Sequence, residues 1–251
     1  MHAFSRRDFG ESALGGLLTW SLLDCLSMTD AFGAEMKSSA AAWLTGMNDL
    51  SKDLKGQKLT QTDWQKQIEA LCQKVELQDV LKLIDFEKLT AGLKFRDQGE
   101  LSLRPRMPAV EGLPTELVFG YQVFALEKDR SVVPHGHNNM ATAFLILQGD
   151  FQGRSYDRIE DDGDYMIIKP TVDRPFQAGE SSTVSDQKDN VHWFQATSKT
   201  AFIFNIHVLN IDPASKNRTG RVYVDPKGEK LADGKIRAER LGAAEAFKRY
   251  G

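Results

Sequence analysis

The stretch VPHGHNNMATAFLILQGDFQGRSYD, residues Val133 to Asp157, decides how the chain is read. Two of the chain's five histidines, His135 and His137, stand one residue apart and run into an apolar segment that ends at Gly149. On an extended strand, residues i and i+2 point to the same face. The two imidazoles can therefore reach one ion, and a third ligand must come from another strand. His192, in DNVHWFQAT, starts such a strand and is flanked by aromatic residues; His207, in FNIHVLN, is the second candidate.

Working outward, LVFGYQVFAL, TAFLILQ, FQGRSYD, YMIIKP, VHWFQAT, AFIFNIHVL and RVYVD all read as strands separated by Gly, Pro, Asp and Asn. Their close spacing predicts a sandwich or small barrel. Upstream, Trp43, Met47, Leu50 and Leu54 mark one face of a helix. Thr62 and Gln65 read as a capping box opening a second helix, whose stripe includes Trp64, Ile68 and Cys72. Cys72 on that stripe reads as a buried, inert thiol. Val80, Leu83 and Ile84 suggest a third helix, and KIRAERLGAAEAFKRYG reads as a terminal one. RIEDDGDY reads as a solvated acidic loop.

The formal charge of −3 gives no footprint for nucleic acid, and no apolar run is long enough to span a membrane as a mature helix. The N-terminus differs from the rest. SRRDFGESALGGLLTWSLL has paired Arg6 and Arg7 before a modest apolar segment, and resembles a twin-arginine export signal with cleavage near Gly33 or Ala34. Cys25 follows Asp24, which does not suit a lipidation site. Removal of the signal would leave Cys72 alone, without a disulfide partner. The expected division is 1–34 export signal, 35–100 helical extension, 101–225 β-barrel and 226–251 helical tail, with the mature protein exported to the periplasm.

After His137 come four residues, Thr142, six residues and Gly149. This spacing resembles the first cupin motif, His-x-His-x4-Glu-x6-Gly, with threonine in the glutamate position. A closer resemblance is to thiol dioxygenases of the cysteamine dioxygenase and plant cysteine oxidase type. It rests on His135, His137, Met140, Phe144, Gly149, Ser155, Tyr156 and Asp157, and on Asn190, Val191, His192, Phe194 and Ala196. It covers roughly residues 118–205. The resemblance implies a mainly β, cupin-type double-stranded β-helix with N-terminal helices. It also implies a three-histidine site of His135, His137 and His192 for Fe(II), with Ni, Mn or Zn as other candidates. Thr142 fits that set, since no carboxylate is needed. Three neutral imidazoles leave the ion's 2+ charge intact for an anionic thiolate, with dioxygen as co-substrate.

The sequence departs from that family on the substrate side. Counted without gaps, Phe204 stands where the family has an acidic residue, and VLNIDP lacks the family's Pro-Pro-Tyr. Asn205 and His207 share a strand face and are candidates to line the pocket instead. Arg154 and Tyr156 are candidate catalytic residues, a carboxylate grip and a phenol that orients an intermediate; they share one face of their strand. Another metal-dependent cupin activity, and a non-catalytic cupin that binds a small molecule, stay open as alternatives. A homodimer is open by analogy with cupins.

Overall fold

The computed structural model describes residues 39–107 and 116–251; the twin-arginine segment and Cys25 lie outside the described residues. Four helices come first: α1 over 39–55, α2 Gln61–Cys72, α3 Leu77–Leu83 and α4 Phe86–Thr90. Eleven strands follow: β1 Leu101–Leu103, β2 Gly120–Glu127, β3 Ser131–Asn138, β4 Met140–Gln148, β5 Phe151–Asp162, β6 Tyr165–Phe176, β7 Ser181–Val184, β8 Val191–Ala196, β9 Thr200–Leu209, β10 Gly220–Lys230 and β11 Ile236–Leu241. Helix α5, Ala243–Tyr250, comes after them. The strands form two antiparallel sheets. One is open, in the order β1-β2-β9-β4-β7; the other closes on itself as β10-β11-β6-β5-β8-β3. This is the mainly β, double-stranded β-helix architecture that the cupin resemblance implies, with helices at the N-terminal side.

The open sheet is buried on both faces, and the alternation of its strands shows how. On β4, Ala141, Ala143, Leu145 and Leu147 pack against the helices, together with Phe202, Phe204, Ile206 and Val208 of β9. Trp43, Met47 and Leu54 of α1 and Trp64 and Ile68 of α2 fill the other side of that layer. The intervening residues, Phe144, Ile146, Ala201 and Ile203, face the closed sheet and meet Phe194 and Phe151 there. A strand with two apolar faces reads as a continuous apolar run, which explains TAFLILQ. Cys72 is 3% exposed in the helix layer, and burial pushes its thiol up to about 11, so it is inert at neutral pH.

Three details differ from the sequence expectation. Helix α2 is capped by Thr60, not Thr62: the Asp63 amide donates to Thr60 Oγ1 at 3.1 Å. Gln65 is free for another task. It is 1% exposed, donates from Nε2 to the Thr183 carbonyl at 3.1 Å and accepts from Ser185 Oγ at 2.8 Å, tying α2 to the open sheet. The acidic RIEDDGDY is a hairpin rather than a loop. Strands β5 and β6 run through it, and Gly163, at φ 59°, makes the turn. Its acids are still solvated, and Asp161 pairs with Arg158 at 2.6 Å. The expected terminal helix is half strand: Ile236–Leu241 pairs with β6 and β10 and completes the closed ring, leaving only Ala243–Tyr250 helical. Alternation of Ile236, Ala238 and Arg240 against the ring outweighed helix propensity there.

The β7–β8 loop carries Asp186, whose carboxylate accepts the Asn139 amide at 3.0 Å. Burial raises its pKa from 3.8 to about 6, against the lowering effect of the Asn139 and Met140 amides and of Arg158. A carboxyl that binds its proton more tightly when folded favours the fold below pH 3.8, and that contribution is lost as pH rises through about 6. Asp186→Asn keeps an acceptor without the charge. Its stability relative to the parent is expected to grow between pH 4 and pH 7 by about 1–2 kcal/mol, since the side chain is only partly buried. Urea melts at the two pH values check this; an unchanged difference would rule the assignment out.

Candidate metal centre

The strand that carries the histidine pair is irregular where the pair begins. On the β3–β8 ladder, Val132 pairs with Phe194 and His135 with His192, so Val133 and Pro134 together oppose the single residue Trp193. This is a β-bulge with one extra residue. Val132 faces the inter-sheet core, while Val133 packs outside against Ala246 and Tyr250 of α5. Unbroken alternation from Val132 would turn His135 outward. The bulge turns it inward, and His137 follows. Proline is tolerated there because a bulged residue need not donate to the ladder.

His135, His137 and His192 each offer one ring nitrogen, and these lie within 4.8 Å of one another. The side chains are 1%, 2% and 1% exposed. His135 Nδ1 lies 2.7 Å from the Val133 carbonyl, across the bulge, which fixes the proton there and leaves Nε2 bare. His137 Nδ1 lies 3.3 Å from Thr142 Oγ1. His192 Nδ1 looks toward the Asn190 carbonyl without hydrogen-bond geometry and has no partner. The Nε2 atoms of His135 and His137 then face each other at 3.1 Å. With His135 Nε2 bare, the two nitrogens at that distance either share a proton carried by His137 or hold a cation between them. Ligands ~2.1 Å from one ion and roughly at right angles sit ~3 Å apart, so the pair fits a shared metal. Burial, reinforced by the positive Arg221, holds His135 and His192 well below the ordinary imidazole range, His192 at about 3; burial does the same for His137. All three are therefore neutral at pH 7, the form that binds metal.

Asn190 holds the pair from behind. Its Nδ2 donates to the His137 carbonyl at 2.9 Å and the Ser185 carbonyl at 3.0 Å, and its Oδ1 accepts from the His137 amide at 3.3 Å. Gly136 makes room for this: a Cβ there would lie 2.6 Å from Asn190 Oδ1.

A cavity of about 260 Å³ opens beside the cluster, between β4 and β9 of the open sheet and β3, β8 and β10 of the closed one. His137, His192, Thr142, Phe144 and Met140 form its inner side, and Gln122, Asn205, His207 and Arg221 give its other walls polar groups. His207 lies outside the three-histidine group and serves as a wall, beside Asn205 at 3.4 Å. Phe204 points the other way, into the helix layer against Trp43 and Tyr121, so Asn205 is the residue of this pair that meets the cavity.

Arg154 and Tyr156 do share a face, as alternation requires, but not the face of the cavity. Ser155 is the β5 residue opposite His192, while Arg154 pairs with Trp193 and Tyr156 with Val191. Arg154 stacks on Trp193, 4.4 Å from its centroid, and reaches Asp173 at 3.4 Å. Tyr156 is buried among Met166, Ile168 and Val224. Neither lines the cavity around the histidines. The polar wall residues that sequence reading passed over, Gln122 and Arg221, sit on strands whose register alone brings them here: Arg221 pairs with His137 across the β10–β3 seam.

No family model and no curated protein matches the chain. Solved structures with a similar backbone include a cupin superfamily protein from Desulfitobacterium hafniense, at 14% identity and a TM-score of 0.31 over 47% of this chain and 84% of that one. TT1209 from Thermus thermophilus aligns at 10% identity and a TM-score of 0.35 over 50% of this chain and 94% of that one. Procruciferin from Brassica napus aligns at 14% identity and a TM-score of 0.30 over 38% of this chain, which spans only 21% of that protein's length.

Asn190→Ala removes three buried hydrogen bonds around the ligand-bearing strand. Metal affinity is expected to fall about 10–100-fold, with a stability loss of about 2–4 kcal/mol. Competition with a chromophoric chelator and denaturant melts measure the two effects; an unchanged metal affinity would show that Asn190 does not position the ligands.

Proposed function

We propose that the chain is an Fe(II)-dependent dioxygenase of the cupin type that oxidises a thiol or another small chelating substrate. The observation that carries this reading is the ligand set: three buried, neutral imidazoles, with Thr142 where a carboxylate would complete the commoner triad. Iron held by His135, His137 and His192 would supply a 2+ charge and bring substrate and dioxygen together.

The chain's own groups have definable tasks around it. Thr142 Oγ1 lies 3.3 Å from His137 Nδ1, and when it takes that nitrogen's proton Nε2 is left for the ion. Phe144, whose ring centroid is 4.9 Å from that of His192, dries the inner side of the cavity. Gln122, Asn205 and His207 offer hydrogen bonds to the part of the substrate that does not reach the ion. Export to the periplasm by the twin-arginine route belongs to the same proposal and rests on Arg6 and Arg7.

Untagged protein is expected to purify with close to one iron per chain and to consume dioxygen with at least one member of a panel of aminothiols, thiol acids and peptides with N-terminal cysteine. His137→Ala and His192→Ala should each lose the metal and lower dioxygen uptake at least a hundredfold. Iron-loaded parent that leaves dioxygen untouched with the whole panel sinks the dioxygenase reading. Replacing Arg6 and Arg7 with lysine should retain the protein in the cytoplasm; unchanged periplasmic recovery on fractionation removes the export route.

A further inference from the structure

Among the described residues that line the cavity, Arg221 alone carries a full charge at neutral pH. It is placed by two independent constraints. Its backbone pairs with His137 across the seam that closes the ring. Its Nη1 donates to Glu100 at 2.9 Å, and Glu100 is itself only 6% exposed. Glu100 Oε2 has no partner. The acid precedes β1 and restrains the guanidinium so that it does not swing out to solvent. The Arg221 side chain still keeps 26% of its surface open and lines the cavity.

Charge balance then says what the cavity accepts. Arg221 and Glu100 cancel. The three imidazoles are neutral, and so are Gln122, Asn205, Thr142 and Thr219 around them. A divalent ion on the histidines leaves the site at +2, with no further carboxylate among the described lining residues to offset it. A ligand that brings one anionic donor to the metal and a second anion to the guanidinium neutralises the site. An ammonium group in the second place would face Arg221 at short range in a partly desolvated cavity, where like charges are costly. The guanidinium bonds Glu100 through Nη1 and also meets Tyr223; its remaining N–H groups match a carboxylate in geometry as well as charge.

We propose that Arg221, positioned by Glu100, is the specificity residue of the cavity and selects substrates that carry a carboxylate a few bonds from the metal-binding atom, so that the chain takes thiol acids in preference to aminothiols. This rests on the three-histidine metal reading above and narrows its substrate class.

The test uses two probes with the same thiol and two-carbon spacer but opposite charge, 3-mercaptopropionate and cysteamine. Each is titrated into the full protein loaded with Co(II) and followed by thiolate-to-metal absorption. Each is also titrated into metal-free protein, followed by amide and side-chain NMR shifts. The parent is expected to bind 3-mercaptopropionate at least tenfold more tightly than cysteamine with Co(II), and to keep the same order of preference without metal. Arg221→Gln, which retains a donor for Glu100, should weaken 3-mercaptopropionate tenfold or more and leave cysteamine unchanged or tighter, in line with the strength of charged hydrogen bonds. Arg221→Lys keeps the charge without the fork, and should fall between the two; it decides the matter if the glutamine variant does not fold. Equal affinity of parent and variants for 3-mercaptopropionate, or parent preference for cysteamine, overturns the proposal. Failure of the parent to take up Co(II) overturns the metal reading instead, and the metal-free titrations then decide Arg221 alone.

Discussion

The site depends on one extra residue in β3. Without the bulge at Val133 and Pro134, the alternation that buries Val132 would send His135 to the side where α5 packs. With it, both histidines of the pair face the same space as His192. The bulge also presents the Val133 carbonyl to His135 Nδ1, so one irregularity sets both the direction of the ring and its tautomer. A shift of one residue inverts every side chain of a strand. The surrounding packing keeps this one in place: Val133 is held from outside by Tyr250 and Ala246, and the Ser131 hydroxyl donates to the Tyr250 carbonyl.

The space between the sheets changes character along its length. At one end Phe144, Ile146, Ile203 and Phe194 make a dry core. Continuing the same inward positions along β4, β9 and β2 gives Thr142, then Asn205 and His207, then Gln122. The cavity is thus a polar extension of the core, built from the same strand faces by changing residue type and not backbone. The rigid apolar end anchors the strands; the polar end is where ligand chemistry becomes affordable.

How much of this was legible in the sequence follows from range. The His-x-His pair, its spacing to Gly149 and the aromatic setting of His192 are local, and they picked out the three histidines that the fold brings together. The alternation of Arg154 with Tyr156 was equally local and also correct. What it lacked was the partner: Ser155, not its neighbours, lies opposite His192, and only the β5–β8 register says so. Arg221 was invisible for the same reason, since it joins His137 through a pairing between residues 84 positions apart in sequence. The gapless count to Phe204 missed the cavity by one residue because β9 presents Asn205 there. Helix capping failed by one short step, with Thr60 ahead of Thr62. The terminal segment failed because ring closure, a tertiary demand, recruited residues with good helix propensity into β11.

The closed ring also governs how this molecule can meet another copy of itself. The closed sheet has no terminal strand, but its ring is not paired along its whole length: β11 covers β6 only at Tyr165–Ile168, and beyond Ile168 β6 pairs with β5 alone. Among the described residues, the outer strands of the open sheet are β1, three residues long, and β7, four residues long. Rims that short template strand addition poorly. Among the described residues, the open sheet is thereby a poor template for edge-to-edge pairing, and the stretch of β6 beyond Ile168 is the longer edge that an incoming strand would meet.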